Sequence, residues 1–197
     1  LERGARDRRL VSAGGDKAPA ADRPDAASAR DWPGNAVNRR LTLRAARPAD
    51  ARRLSEIARA AKAHWDYPAA WLAAWRDDLR ITPEDICRDR VVIAVLNGSI
   101  VGFCALKADD ARTQVEHLWV DPPAMGAGVG RRLLEDALAC CRDRGVSRLR
   151  VVSDPHAAGF YRRHGAFGIG EVASTPAPRR LPVLEFNLDD GANPPAE

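Results

Sequence analysis

From residue 41 onward the chain alternates between two periodicities, and each predicts an element. Leu41-Thr42-Leu43-Arg44 repeats every second residue, as a half-buried strand does. Leu54, Ile57, Ala58 and Ala61 then recur at spacings of three and four. That is the stripe of a core-facing helix, expected to start at Arg47-Pro48-Ala49-Asp50 and run to about Ala63. A second helix, rich in Ala and Trp, is expected from Pro68 to Leu79. Val91 to Leu96 and Ile100 to Lys107 flank Asn97-Gly98, the strongest short hairpin signal. Thr113 to Val120 reads as the next strand, stopped by Asp121-Pro122-Pro123. A helix through about Arg144 follows, burying Leu133, Leu134, Ala137, Leu138 and Cys141 on one face. Leu149 to Val152 is a strand, His156 to His164 a short helix, and strands near Phe167 to Val172 and Val183 to Leu188 close the sheet. The order predicts an α/β fold with a mixed, mostly antiparallel sheet of about six to seven strands flanked by about four helices.

Three segments follow from the same patterning: an N-terminal extension over 1–40, one domain over 41–189 and a polar tail over 190–197. The first 40 residues are rich in Arg, Ala, Asp and Gly without apolar periodicity, a composition that does not offset the entropy of ordering. Charge changes the picture only here. Of the net charge of +4, the extension holds +3, nine Lys/Arg against six Asp/Glu. The domain is therefore nearly neutral, and the interleaved tail charges with one aromatic, Trp32, argue against a nucleic-acid arm. No run approaches the roughly 18 apolar residues of a membrane span, and no signal-peptide core is present, so a cytoplasmic location is expected. Cys87, Cys104, Cys140 and Cys141 form no C-x-x-C pair and have no histidine at ligand spacing, so no metal is expected.

The strongest chemical signal is Met125-Gly126-Ala127-Gly128-Val129-Gly130-Arg131-Arg132-Leu133-Leu134, a glycine-rich turn between a strand and an amphipathic helix. Closely spaced glycines let several N–H groups converge on a phosphate, and the helix adds the positive end of its dipole. Arg131-Arg132 stand where a nucleoside-triphosphate loop needs Lys-Ser/Thr, and G-x-G-x-G is not the dinucleotide G-x-G-x-x-G. The segment resembles the pyrophosphate loop of the GNAT superfamily of acyl-CoA-dependent N-acyltransferases, Arg/Gln-x-x-Gly-x-Gly/Ala before a Leu-Leu helix. Gly128 and Gly130 match its small positions, while Met125 replaces the Arg/Gln. A second segment, Asp154-Pro155-His156-Ala157-Ala158-Gly159-Phe160-Tyr161-Arg162-Arg163-His164-Gly165-Ala166, resembles the family's N-x-x-A-x-x-F-Y-x-x-x-G-F, with His156 in place of the asparagine. The resemblance runs from about Leu41 to Leu188, roughly three quarters of the chain.

The resemblance implies a GNAT-like fold and an acetyl-CoA-dependent N-acetyltransferase acting by direct attack of a primary amine of a small molecule or peptide. A non-catalytic acyl-CoA-binding module is the alternative, raised by the changes at Met125 and His156. The implied cofactor contacts are Leu118, Trp119 and Val120 along a bulged strand edge for pantetheine, Met125, Gly126, Ala127, Gly128, Val129, Gly130 and Arg131 for the pyrophosphate, and His156. Tyr161 stands at the family's position near the thioester sulfur, which makes it the expected acid. Amine attack also needs a base, and Glu116 is the candidate on the strand before the loop. Gln114 shares its face but takes no proton; His117 titrates in the right range, yet strand parity puts it on the opposite face. His64, Trp65 and Tyr67, in an aromatic stretch that continues to Trp71 and Trp75, are the expected amine contacts, through cation–π and the charge of Asp66. The acceptor is otherwise unspecified, and a homodimer is compatible with the resemblance.

Overall fold

The period-two runs become seven strands: β1 (Leu41–Ala45), β2 (Arg90–Leu96), β3 (Ser99–Ala108), β4 (Thr113–Val120), β5 (Arg148–Val152), β6 (Phe167–Ser174) and β7 (Arg179–Asn187). The helical stripes become α1 (Ala51–Ala63), α2 (Ala69–Ala74), α3 (Pro83–Arg88), α4 (Val129–Asp143) and α5 (Pro155–Arg163). This computed structural model describes residues 41–108, 112–176 and 179–189. The expectations for 1–40 and 190–197 lie outside the described residues. None of the described helices is long and apolar enough to cross a membrane.

The sheet order is β1-β2-β3-β4-β5-β7-β6. Every neighbouring pair is antiparallel except β4 and β5. One face carries α4 and α5 over Val115, Leu118, Val120, Leu133, Leu134 and Tyr161. The other carries α1 and the stretch that follows it over Ile57, Trp75, Ile93, Phe103 and Trp119. The hairpin turn has positive φ at both Asn97 and Gly98, as a tight two-residue loop between twisted strands demands.

The structure corrects the sequence in three places. The helix expected from Pro68 to Leu79 is helical only over Ala69–Ala74 and then continues as turns. A further short helix, α3, begins at Thr82, whose hydroxyl accepts from the Asp85 N–H while the Asp85 carboxylate accepts from the Thr82 N–H. That reciprocal cap, with Pro83 at the first helical position, was a legible signal. The last strand starts at Arg179 rather than Val183. Pro182 is tolerated inside it because proline lacks only the donor, and its carbonyl accepts from the Ser153 N–H at 2.8 Å.

β4 and β5 position the site. Their parallel ladder joins Thr113, Gln114 and Val115 to Leu149, Arg150 and Val151, and then stops. β5 turns toward β7 and β4 continues toward the glycine loop, so the sheet parts from Glu116 to Val120.

Candidate active site

The β4–α4 turn is set by two left-handed glycines. Gly126 has φ 77° and Gly128 φ 78°, values that non-glycine residues rarely adopt. A Cβ at either position would meet nothing within 4 Å, so backbone shape and not crowding selects glycine. Gly128 caps α4, whose first N–H groups have no carbonyl one turn earlier within the helix. The result is a run of donors at the positive end of a helix dipole, able to hold an anion.

That turn forms one wall of a cleft of about 350 Å³. The sequence-predicted His64, Trp65, Val120, Met125, Gly126, Gly128, Val129, Gly130 and Arg131 all line it. Ala124, Phe160, Arg163 and His164 line it as well and were not expected. The Tyr-Arg-Arg-His run at the end of α5 was the signal for the last two. Leu118 and Trp119 lie beside the opening with buried side chains on opposite faces, so only their backbone could serve a ligand. Ala127 and Tyr67 do not line the cleft.

His156 does not turn into the cleft. Its backbone N–H donates to the Asp154 carboxylate at 3.1 Å, and its ring stacks on Trp65 with centroids 5.0 Å apart and planes 3° from parallel. An expected cofactor residue and an expected acceptor residue are thus joined to each other.

The strand-parity argument for His117 fails, because β4 is bulged. Ala105 pairs with His117 while Leu106 pairs with Val115, which leaves Glu116 as the extra residue. The bulge sits at Glu116 and not over Leu118, Trp119 and Val120. It resets the alternation, so Glu116 and His117 both line one cavity of about 490 Å³ on the α1–α3 side, with Arg80, Asp85, Arg88 and Lys107 around them. Glu116 is 8% exposed and accepts from the Gln114 amide at 2.6 Å. Burial pushes its carboxyl above the usual range, against the pull of the Gln114 hydrogen bond. His117 accepts the Trp119 indole N–H on Nδ1 at 3.2 Å, so the lone pair it would need as a base is already engaged.

Tyr161 is fully buried, with its ring edge-on to Phe160 and Phe186. Burial raises its hydroxyl pKa well above the ordinary value, with smaller contributions from Cys104 and Asp154. It therefore stays protonated at working pH, as a hydrogen-bond donor must.

A buried ionic cluster lies beside these groups, and its members are far apart in sequence. Asp154 caps α5 and receives Lys62 Nζ at 2.6 Å, Arg179 Nη2 at 2.8 Å and the Tyr67 hydroxyl at 2.8 Å. Lys62 and Arg179 also lie over the rings of Tyr67 and Trp75, between 4.4 and 4.9 Å from their centroids. Sequence reading missed Lys62, Asp154 and Arg179 as site residues. One signal existed: Lys62 falls four residues after Ala58, on the apolar stripe of α1, where a lysine needs a buried partner.

The sequence and the fold match known proteins. The family model for the acetyltransferase (GNAT) family matches residues 56–166, more than half of the chain, and the chain belongs to that family of acetyltransferases. Among solved structures it is similar to a GCN5-related N-acetyltransferase, aminotransferase class II, of Rhodopseudomonas palustris. The two are 25% identical with a TM-score of 0.64, over 79% of this chain and 100% of that one. PaiA N-acetyltransferase of Thermoplasma acidophilum, solved in complex with coenzyme A, is 17% identical with a TM-score of 0.62, over 75% and 99%. YncA of Salmonella typhimurium, solved with its cofactor acetyl-CoA, is 21% identical with a TM-score of 0.56, over 80% and 99%. No curated protein matches the chain.

Proposed function

We propose that the protein is an N-acetyltransferase that moves the acetyl group of acetyl-CoA to a primary amine of a small molecule or peptide by direct attack. The observation that carries this reading is the parting of β4 and β5 between Glu116 and the glycine loop, a buried carboxylate at one end and an anion cradle at the other. The residues present fit the cosubstrate. The pyrophosphate would be held by N–H groups of Gly126 and of Gly128 to Arg131, with Arg131 and Arg163 at the rim, and pantetheine by the backbone edge of Leu118 to Val120. Acetyl-CoA supplies the activated thioester. Glu116, at the bulge, takes the proton of the ammonium form, directly or through water; its raised pKa makes it a stronger base than an exposed glutamate. Tyr161 donates to the departing thiolate.

Thiol release measured over an amine panel tests this reading. Glu116→Gln should lower kcat/KM by about 10²-fold and remove the acidic limb of its pH profile. The wild-type limb should lie above the ordinary glutamate value of about 4.3, because activity needs the ionised form and burial delays ionisation. An unchanged limb would transfer the base role elsewhere. Tyr161→Phe should lower kcat by about 10²-fold with acetyl-CoA affinity retained, the pattern of a contact made in the transition state.

The second reading, a binding module without turnover, is favoured by two observations: Tyr161 is fully buried and His156 faces Trp65. Tight acetyl-CoA binding with no thiol release from any amine would establish it.

A further inference from the structure

The Lys62–Asp154–Arg179 cluster does not balance its own charge. With Lys62 protonated, two cations share one carboxylate; the three side chains are only 1%, 2% and 7% exposed, and burial lowers the Lys62 pKa against the pull of Asp154. Asp154 has no capacity left. Its Oδ2 takes Lys62, Arg179 and, at 3.0 Å, Tyr67; its Oδ1 takes Tyr67 and the His156 N–H. Tyr67 donates to that carboxylate and itself accepts from Arg179 Nη2 at 2.7 Å, so its hydroxyl is spent too. One nitrogen remains without any bond. Arg179 Nη1 is buried and has no hydrogen-bond partner among the described residues, although buried donors are nearly always satisfied. The ring faces of Tyr67 and Trp75 soften the excess positive charge without neutralising it. The site is therefore one negative charge short, with an acceptor missing at Arg179 Nη1.

We propose that the missing group is the carboxylate of the acceptor, so that the acceptor is an amino acid, and that Arg179 receives that carboxylate. This rests on the N-acetyltransferase reading above. The charge count selects the ligand: one carboxylate neutralises the cluster, whereas a phosphate dianion overshoots it. Position separates the cluster from the cosubstrate, whose phosphate cradle is the glycine loop and whose cleft Arg179 does not line. Asp154 joins the cluster to the aromatic residues expected to meet the amine, through the His156 N–H and the His156 ring on Trp65. The cluster also lies just beneath the surface. Tyr67 is its half-buried member and the exposed His156 ring stands edge-on to it at 5.6 Å.

The test compares each of a panel of α-amino acids with its own carboxamide, using the full chain, saturating acetyl-CoA and thiol release, with rates referred to the free-amine form. The acid should exceed its amide at least 10-fold in kcat/KM, through KM. Arg179→Met should erase that preference, and Arg179→Lys should keep part of it. An amide used as well as its acid, or a preference that survives in a folded Arg179→Met variant, would overturn the proposal. A second measurement needs neither turnover nor a variant: calorimetry of N-acetylalanine against N-acetylalaninamide on the wild-type protein loaded with CoA. Tighter binding of the acid supports the carboxylate site, and binding no tighter than the amide overturns it. Absence of thiol release from every amine would overturn the transferase reading alone, leaving the calorimetry to decide this one.

Discussion

The glycine loop and the ionic cluster lie on either side of the same opening in the sheet and are built in opposite ways. The loop is local: seven consecutive residues, two left-handed glycines and the first turn of α4 make a donor-lined wall that is open to solvent. The cluster is assembled from residues 62, 67, 154 and 179, and is closed. At the phosphate end the chain spends backbone geometry, which costs little when left vacant because water serves the exposed donors. Where distant elements are joined it spends buried charge, which needs its carboxylate in place and whose excess cation is the position left for the acceptor.

That contrast predicts different failures. The largest effect should come from Asp154→Asn, which leaves Lys62 and Arg179 buried together without a carboxylate. Removing one partner of a buried ion pair costs about 3–5 kcal/mol, so Tm should fall by roughly 6–20 °C for a domain of this size. The pH dependence should change with it. Burial pushes the Asp154 carboxyl up, but Lys62 and Arg179 outweigh this and hold it below its ordinary value. Its stabilisation is thus complete above the unfolded value of about 3.9 and is lost as pH falls through the lower folded value. The Asn variant should lack that part of the acid transition, and an unchanged melting profile would mean the cluster carries no weight.

Gly128→Asp should do the reverse. Nothing lies within 4 Å of the added Cβ, but the left-handed φ of 78° costs a non-glycine residue about 1–2 kcal/mol, so Tm should fall by only a few degrees, less than for Asp154→Asn, while a carboxylate enters the cradle and acetyl-CoA affinity should fall by about 100-fold, roughly 2.7 kcal/mol. Calorimetry on the folded variant decides, and retained affinity would remove the loop from the site. The smallest effect is expected from Met125→Arg. Met125 is half-buried at the edge of the cleft, and an arginine there should tighten acetyl-CoA binding by no more than about 1.5–3 kcal/mol, one charge-assisted hydrogen bond. A clear loss would mean the loop receives its ligand in another orientation.

What was legible in the sequence was what neighbours determine. The α1 stripe, the Asn97-Gly98 hairpin, β4 and the start of α4 are all statements about residues within a turn or two of each other, and all appear as expected. The Thr82 cap of α3 was equally local and was missed, because a helix of six residues carries too little apolar periodicity to stand out. The bulge at Glu116 was not legible. It is a mismatch of register with β3, a partner in the sheet, and it alone brings His117 round to the side of Glu116.

By itself, then, the sequence determined the elements and the glycine cradle, since backbone periodicity and left-handed φ are properties of short stretches of chain. Tertiary structure decided where the elements part and what fills the space beside the parting. It set the end of the β4–β5 ladder at Val115, the stacking of His156 on Trp65, and the meeting of Lys62, Tyr67, Asp154 and Arg179 across as many as 112 positions. The physical reason is that an ion pair has no periodicity. Its partners are chosen by the packing of helices on a sheet, and a lysine on an apolar stripe shows only that some partner must exist.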